Sequence, residues 1–541
     1  MATNIHRTDE YWWREGIFYQ IYPRSFQDSD SDGIGDIAGI ASRLPYLVEL
    51  GIDAIWLSPI FPSPMADFGY DVADYCAIDP LFGTMEQFES LIAAAHKRGL
   101  KVILDLVPNH TSDRHAWFIE SRSSRDNPKR DWYIWRDPKP DGGAPNNWLS
   151  EFGGSAWQYD ATTGQYYYHA FLAQQPDLNW RNGAVRQAIY DFMRFWLGKG
   201  VDGFRVDVIW HLIKDARFRD NPLNPDFRDG QPPHRRLLPR FSADQPEVHE
   251  VVAQMRRVTD EFRARVLIGE IYLPLQQLVA YYGNELSGAQ MPFNFALLSA
   301  PWHARSVDKI IADYERALPP GAWPNWVLGN HDRPRVASRV GRKQAPVAAM
   351  LLLTLRGTPT LYYGDEIGMR QLAITPDQVR DPFEKNVPGI GAGRDGCRTP
   401  MQWDASPFAG FSTTKPWLPV ADDFAHENVV NLSADARSIL SLHAGLIDLR
   451  KKTPALVSGS YVPVAADGNL LIYRRQLNDA ACVIALNLGA EPAAIASPTI
   501  GLGGEILLST MLDRAGEKVT GELDLRGNEG VIIGPARVQR G

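Results

Sequence analysis

Carboxylic acids follow four short apolar segments of the chain, and acids at such positions can act as nucleophiles or exchange protons. The four segments are Asp105-Leu-Val-Pro-Asn109-His110, Gly203-Phe-Arg205-Val-Asp207, Gly269-Glu270 and Asn330-His331-Asp332. Neighbouring carboxylates shift one another's pKa values, so one can stay ionised while another holds its proton. Cleavage of a glycosidic bond requires that division of roles. A single acid of this kind is more often a helix cap or a solvated charge, so the prediction depends on the whole set.

These acids need a scaffold that brings the ends of different strands together. Short β-rich runs alternate with helical patterns, which is typical of a parallel α/β sheet. Helical periodicity is clear over Met85–Arg98 and Val185–Leu197. Eight strands with covering helices predict an α/β fold with a (β/α)8 TIM barrel, whose site lies at the C-terminal strand ends. The predicted strands are Ile17–Tyr22, Ala54–Leu57, Val102–Leu106, Gly203–Val206, Val266–Gly269, Ala289–Met291, Trp326–Leu328 and Thr360–Leu361.

Two long Pro/Gly-rich insertions (called excursions below) interrupt the strand–helix alternation, and short strands replace that alternation near the C-terminus. Residues 111–179 are rich in Trp, Tyr, Asp, Pro and Gly, which predicts an irregular insertion domain after the third strand. A second Pro/Gly-rich excursion, 369–427, follows the eighth strand, and loops of such length are usually functional. Short strands separated by turn residues predict a C-terminal antiparallel β-sandwich domain over 464–541. Residues 1–110 and 180–463 are therefore predicted to form the catalytic barrel.

Composition narrows the class of protein. The 541-residue chain has a net charge of −8 and a pI near 5.9, which argues against nucleic acid or anionic membrane as a partner. Its three cysteines, Cys76, Cys397 and Cys482, predict no disulfide framework and favour a reducing compartment. Residues 1–16 lack the apolar core of a signal peptide, and no apolar run is long enough to span a bilayer. We therefore expect a cytoplasmic monomer or homodimer without an organic cofactor.

The four acidic segments, in this order, resemble the motifs of the α-amylase family of glycoside hydrolases. Three more segments resemble its α-glucosidase and oligo-1,6-glucosidase branch: Gly16-Ile-Phe-Tyr-Gln-Ile-Tyr-Pro-Arg24-Ser-Phe, Gln175-Pro-Asp-Leu-Asn179 and Arg398-Thr-Pro-Met-Gln-Trp403. The resemblance covers about Tyr11 to Trp403, and the C-terminal domain is compatible with it. It implies an exo-acting, retaining α-glucosidase that releases α-glucose from the non-reducing end of short α-1,4- or α-1,6-linked glucosides. Glucosyl transfer to another sugar is a second outcome of the same chemistry.

The resemblance also implies roles for the acids. Asp207 is similar to the nucleophile that forms a covalent glucosyl-enzyme, Glu270 to the acid/base, and Asp332 to a third carboxylate that stabilises the distorted sugar ring. Arg205 lies two residues before Asp207, and therefore on the same face of the strand, so we expect it to keep that carboxylate ionised. Asp105 is expected to support Arg205, with direct contact to the sugar as the alternative.

Further residues resemble those that bind the terminal glucose. His110 and His331 are similar to histidines that bond to sugar hydroxyls, and Tyr70 to a ring that stacks on glucose. Asp67 and Arg398 resemble the pair that holds the 4-hydroxyl and closes the pocket, which implies exo action. Arg394 competes with Arg398 for this role.

The leaving-group side is less sharply defined. Phe152 and Phe171 are either walls for the leaving sugar or the core of the insertion domain. In this branch, Val at the position of Val208 resembles α-1,6-acting enzymes, whereas Ala or Thr resembles α-1,4-acting ones. A difference of one methyl group discriminates only about 10- to 200-fold. The following Ile209-Trp210-His211 departs from the Ile-Asn-Phe pattern of both groups.

Aspartates at alternate positions form a separate signal near the N-terminus. Asp28-Ser-Asp30-Ser-Asp32-Gly33-Ile34-Gly-Asp36 resembles the start of a calcium-binding loop, although the EF-hand context is absent. A solvated acidic turn is the alternative. We expect a structural Ca²⁺ or Mg²⁺ held by the side chains of Asp28, Asp30, Asp32 and Asp36 and by the carbonyl of Ile34.

Two other functions use the same architecture. A relative that isomerises or transfers, such as a trehalose synthase, or a sucrose hydrolase would share the catalytic residues. An inactive carbohydrate-binding member of the family typically loses one or more carboxylates, whereas Asp207, Glu270 and Asp332 are all present. Small α-glucosides are therefore the expected partners.

Overall fold

Three sheets and one strand pair make up the β structure. The computed structural model describes residues 9–496 and 504–537. The strands are β1 (Phe18–Ile21), β2 (Ala54–Leu57), β3 (Lys101–Leu106), β4 (Trp135–Arg136), β5 (Trp157–Asp160), β6 (Gln165–Tyr168), β7 (Gly203–Val206), β8 (Val266–Gly269), β9 (Met291–Pro292), β10 (Asn325–Val327), β11 (Thr358–Tyr362), β12 (Ser460–Asp467), β13 (Leu470–Leu477), β14 (Ala480–Asn487), β15 (Ala493–Ala496), β16 (Gly504–Ser509), β17 (Lys518–Val519), β18 (Glu522–Leu525) and β19 (Gly530–Arg537).

Eight parallel strands form the barrel, as predicted. They pair in the order β10-β11-β1-β2-β3-β7-β8-β9. An isolated parallel bridge between Asn294 and Trp326 joins the two outer strands. The sixth barrel strand is shifted relative to the prediction of Ala289–Met291, since β9 covers Met291–Pro292. Gly203 opens β7 because a Cβ atom there would collide with the carbonyl oxygen of Val266 on β8.

Helices cover the outside of the barrel. The predicted helical segments at residues 85–98 and 185–197 are confirmed, and a capping box at Thr84 fixes the start of the first. Its apolar residues recur every three or four positions and pack inward. The helices are α1 (Trp12–Glu15), α2 (Ile37–Leu50), α3 (Met85–Lys97), α4 (Ala116–Ser123), α5 (Gly183–Gly198), α6 (Val248–Asp260), α7 (Leu275–Ala280), α8 (Ala304–Ala317), α9 (Val336–Val340), α10 (Ala345–Thr354), α11 (Pro382–Asn386), α12 (Val429–Ala434), α13 (Ile439–Lys452) and α14 (Pro454–Ser458).

Side chains two positions apart on a strand point to the same face of the sheet, which explains why polar side chains from several strands meet inside the barrel. Ile103 on β3 belongs to the apolar cluster inside the barrel, and Asp105 lies two residues further on. Ile268 on β8 has the same relation to Glu270. Asp105 is the register partner of Arg205 on β7. Apolar residues therefore fill the lower barrel, and charged residues from neighbouring strands meet at its C-terminal end.

The remaining strands lie outside the barrel. Between β3 and β7, a three-stranded antiparallel sheet in the order β4-β6-β5 forms part of the segment predicted as an insertion domain. At the C-terminal end, a six-stranded sheet in the order β12-β13-β14-β19-β16-β17 and the pair β15-β18 share an apolar core. The first strand of this part, β12, starts before residue 464.

Two further observations bear on the sequence-based expectations. All three cysteines are free thiols. In the part of the chain that the structure describes, no helix combines the length and apolar character needed to cross a bilayer.

Candidate active site

One guanidinium group joins three carboxylates at the C-terminal end of the barrel. Arg205 Nη1 donates to Asp105 at 2.7 Å and to Asp207 at 2.8 Å, and Nη2 lies 2.7 Å from Glu270 Oε2. The Arg205 side chain is 1% exposed, so bulk water does not weaken these attractions. Tyr70 adds a hydrogen bond to Asp105 at 3.0 Å. The geometry agrees with the expectation that Asp105 supports Arg205.

The positive charge of Arg205 is outnumbered by the carboxylates around it. Burial raises the pKa of Asp207 well above its ordinary value; Arg205 opposes this shift, and the charges of Glu270 and Asp105 add to it. Burial also raises the pKa of Asp105 to about 6. Arg205 thus acts on Asp207 in the expected direction, but burial outweighs it. Burial and mutual repulsion therefore make Asp105 and Asp207 harder to ionise than isolated carboxyl groups.

The residue after Asp207 has a strained backbone. Val208 has a φ of 36°, in the left-handed region that β-branched residues rarely adopt. In this conformation its N–H donates to Glu270 Oε2 at 2.9 Å. Such strain persists only where the surrounding structure imposes it, and it is frequent at functional sites. The turn thereby fixes Glu270 beside Asp207.

His331 is stacked between two tyrosines. Its ring centroid lies 5.2 Å from that of Tyr70 and 5.9 Å from that of Tyr22. Nδ1 is 2.8 Å from the side-chain amide of Gln20, and Nε2 is 3.3 Å from Asp332. Burial lowers the pKa of His331 to about 3, so the ring is neutral at neutral pH. One face of Tyr70 is therefore occupied by His331.

His110 is held by the loop that carries Tyr70. Its Nε2 lies 3.0 Å from the Tyr70 carbonyl and 3.2 Å from the Gln175 amide, and its Nδ1 lies 3.1 Å from Asn109. Burial lowers the pKa of His110 to about 4. Both histidines predicted from the sequence are thus neutral and near Tyr70.

Asp67 forms an ion pair with Arg394, the competing candidate from the sequence, and not with Arg398. Arg394 Nη2 lies 2.6 Å from Asp67 and 2.6 Å from Asp381, and Nη1 lies 3.4 Å from Asp332. Asp381 also accepts the backbone N–H of Arg394, so it directs this side chain towards Asp67.

Arg398 points elsewhere in the same pocket. It donates to the carbonyl oxygen of His331 at 2.7 Å and to Asp332 at 3.0 Å. A single 3₁₀ turn, Asp395–Cys397, separates the two arginines and sends their side chains to different partners. Removal from bulk water alone would raise the pKa of Asp332, but His331, Arg394 and Arg398 together lower it.

Phe152 and Phe171 contact each other and the residues around the charged cluster. Their ring centroids are 6.0 Å apart. The Arg394 guanidinium lies over the Phe152 ring at 5.0 Å, and Phe171 lies 5.2 Å from His110. Both rings border the charged cluster, and Phe171 also packs against the apolar core of the insertion segment, so each interpretation from the sequence has support.

A buried ion pair next to the site was not anticipated from the sequence. Lys214 Nζ lies 2.5 Å from Asp177 and donates to Asn109 at 2.7 Å. Both charged side chains are at most 1% exposed. The pair ties the segment after Asp207 to the Gln175–Asn179 motif and to the residue before His110. The sequence feature that could have revealed this pair is the position of Lys214 in an otherwise apolar segment.

Three of the loop aspartates converge. Carboxylate oxygens of Asp28, Asp30 and Asp36 all lie within 4.8 Å of one another. Asp32 is not part of this group, and its carboxylate accepts the backbone N–H of Ile34 at 2.7 Å. Carboxylate oxygens are the ligand type that a hard cation such as Ca²⁺ prefers, so the chemistry of these three residues fits such an ion.

Comparison with known proteins places this site in a family. Residues 20–459 match the sequence model described as the α-amylase catalytic domain. A probable α-glucosidase of Rhizobium meliloti (strain 1021) is 43% identical over 508 residues, which cover 91% of this chain and 92% of the relative. An oligo-1,6-glucosidase of Heyndrickxia coagulans is 39% identical over 527 residues, covering 90% and 94% of the two chains. The crystal structure of the α-glucosyl transfer enzyme XgtA has a TM-score of 0.91 and 41% identity, covering 96% of this chain and 99% of that one. The chain therefore belongs to the α-amylase family.

Proposed function

We propose that the protein is a retaining α-glucosidase acting on small α-glucosides. The observation that carries the proposal is that Asp207 and Glu270 bind the two terminal nitrogens of one guanidinium, that of Arg205. A shared guanidinium holds the two carboxyl groups side by side. Retaining glycosidases need such close spacing, whereas inverting ones leave room for a water molecule between the acids. The relatives named above as α-glucosidase and oligo-1,6-glucosidase support the substrate class.

In this mechanism the acids take different roles. Asp207 attacks the anomeric carbon while Glu270 gives its proton to the departing glycosidic oxygen, so the bond to the leaving group breaks as the glucosyl ester forms. Glu270 then removes a proton from water, which attacks the anomeric carbon and releases Asp207. Asp332, with its lowered pKa, stays ionised and stabilises the positive charge on the sugar ring.

The direct test uses two variants. Asp207→Ala and Glu270→Gln should each lower turnover of the best disaccharide by several orders of magnitude, because each removes a group that bonds to or protonates the reacting atoms. Circular dichroism should show an unchanged fold. Near-normal activity in either variant would contradict the assignment.

We propose exo action because charged residues close one end of the pocket. Asp67, Arg394 and Asp381 close it with a charged network, so only a terminal glucose fits. A panel of maltose, isomaltose, sucrose, trehalose and soluble starch checks this. Glucose should appear from one or more disaccharides while starch is left largely intact; rapid internal cleavage of starch would refute the closed pocket.

Glucosyl transfer is a second candidate outcome, favoured by the similarity to XgtA, an α-glucosyl transfer enzyme. Transfer and hydrolysis share the glucosyl-enzyme and differ in whether a sugar or water attacks it. Product analysis at rising concentrations of disaccharide separates them. Trisaccharide that grows at the expense of free glucose indicates transfer, whereas glucose alone indicates hydrolysis.

The metal and the cellular location complete the proposal. Asp28, Asp30 and Asp36 are proposed to hold a structural Ca²⁺ or Mg²⁺, which would offset their mutual repulsion and order the loop before α2. Three free thiols are typical of a reducing compartment, which supports a cytoplasmic enzyme.

A further inference from the structure

Gln20 is a buried amide inside the barrel. It lies on β1, two residues after Phe18 in the apolar cluster inside the barrel, so it has the same relation to that cluster as Asp105 on β3. The residue is 0% exposed. Its Nε2 lies 2.8 Å from His331 Nδ1 and 3.3 Å from Ser58 Oγ. A buried amide loses its bonds to water, so these two contacts have to replace them.

The hydrogen of the neutral His331 ring can be placed from its neighbours. A neutral imidazole carries one hydrogen, on either Nδ1 or Nε2. Nε2 lies 3.3 Å from Asp332 Oδ2. The Asp332 carboxylate, whose pKa is lowered as described above, is ionised and can only accept hydrogen bonds. A bare Nε2 would set its lone pair against that charge, so the ring hydrogen belongs on Nε2.

This placement fixes the orientation of the Gln20 amide. With the hydrogen on Nε2, His331 Nδ1 has a lone pair and needs a donor, which the Gln20 NH₂ group supplies. The second amide hydrogen is directed to Ser58 Oγ. The opposite orientation would place Oε1 against the Nδ1 lone pair. Gln20 keeps its orientation although Oε1 has no hydrogen-bond partner in the part of the chain that the structure describes. The amide therefore satisfies the ring and leaves its own carbonyl unsatisfied.

We propose that Gln20 is a positioning residue that fixes the tautomer of His331, with the ring hydrogen on Nε2 beside Asp332. The inference rests on the proposed function, in which Asp332 stabilises the sugar ring. Stacking against Tyr22 and Tyr70 holds the plane of the imidazole, so the donor at position 20 only has to select the tautomer. Activity should therefore depend on a hydrogen-bond donor at this position.

Gln20→Glu tests the tautomer, because an ionised carboxylate can only accept. It would draw the ring hydrogen to Nδ1 and turn a lone pair on Nε2 towards Asp332. One added proton reverses this, since either a neutral carboxyl group donates to Nδ1 or the ring carries hydrogens on both nitrogens. The assay is kcat/KM, relative to wild type, for whichever of maltose, isomaltose and sucrose the wild type cleaves fastest. This ratio should fall at least about 10-fold between about pH 5 and 9, where such pairs titrate.

The ratio to wild type removes the titration of charged groups that both proteins share around the ring, namely Asp332, Arg205, Arg394 and Arg398. Gln20→Met keeps the length of the side chain without a donor. It should lower kcat/KM about 3- to 10-fold, the effect of one hydrogen bond, by a factor that does not vary with pH.

A second buried glutamine supplies the matched control. Gln344 precedes α10 and donates to Asn528 at 2.8 Å, so Gln344→Glu should give a ratio that stays constant with pH. A constant ratio in Gln20→Glu, or the same slope in Gln344→Glu, would overturn the role of Gln20. Unchanged kcat/KM in Gln20→Met would also overturn it, which keeps the test decisive if Gln20→Glu does not fold. A wild type that cleaves none of the disaccharides would instead overturn the proposed function.

Discussion

The buried pair of Lys214 and Asp177 gives the sharpest stability prediction. Replacing Lys214 with Met leaves the Asp177 carboxylate buried with only two donors, Asn109 Nδ2 at 2.8 Å and the Ala170 N–H at 2.7 Å. Removing one partner of a buried ion pair typically costs about 3–5 kcal/mol, because the other charge loses its counterion and cannot return to water. We expect a loss in that range for Lys214→Met.

A matched surface pair supplies the control. Lys129 and Glu120 lie 2.8 Å apart, but their side chains are 26% and 48% exposed. Water and salt screen such a pair, so Lys129→Met should cost no more than about 1 kcal/mol. Urea unfolding followed by tryptophan fluorescence measures both variants, with the difference in free energy taken from the midpoint shift at constant slope.

A double variant isolates the cause. Lys214→Met combined with Asp177→Asn removes the unpaired charge, so it should recover a large part of the lost stability. The reasoning is refuted if Lys214→Met costs no more than Lys129→Met, or if the double variant is as unstable as the single one.

Three further predictions follow from the aspartate loop, a buried histidine and the residue after Asp207. EDTA should lower the melting temperature of the wild type but not of Asp30→Asn, and an equal response of both would count against the metal. Burial lowers the pKa of His443 to about 4. Between pH 6.5 and 4 the unfolded chain therefore binds the extra proton, so stability falls as pH decreases through that window. His443→Leu should flatten the pH dependence of the unfolding midpoint, and an unchanged slope would contradict this. Val208→Ala should shift the ratio of kcat/KM for maltose over isomaltose towards maltose, by up to roughly 200-fold; a shift towards isomaltose would reverse the interpretation.

Sequence patterns predicted the barrel well because its strands are short and regular. The bounds of β2, β7 and β8 match the predicted strands, whereas β9 is displaced because it keeps only two residues in register. Polar residues directly after such strands could be placed at one end of the barrel, since parallel strands end at the same edge. The grouping of Asp105, Arg205 and Glu270 was accessible in this way.

Contacts made by long excursions could not be predicted in the same way. Arg394 and Arg398 are four residues apart with similar surroundings, and only the fold of the intervening turn decides which one faces Asp67. No sequence pattern marked Asp381 as a site residue, although it orients the Arg394 side chain. Asp32 matched the alternate spacing of its neighbours, yet it is not part of the group that Asp28, Asp30 and Asp36 form.

The division of labour between strands and excursions has an evolutionary consequence. In the proposed mechanism, the reacting side chains are anchored to barrel strands, where a change in one position disturbs its neighbours. Phe152 and Phe171 come from the insertion between β3 and β7, and Arg394 comes from the excursion after β11. Mutation in these peripheral segments can therefore change which ligands the pocket accepts, without rebuilding the barrel that supports it.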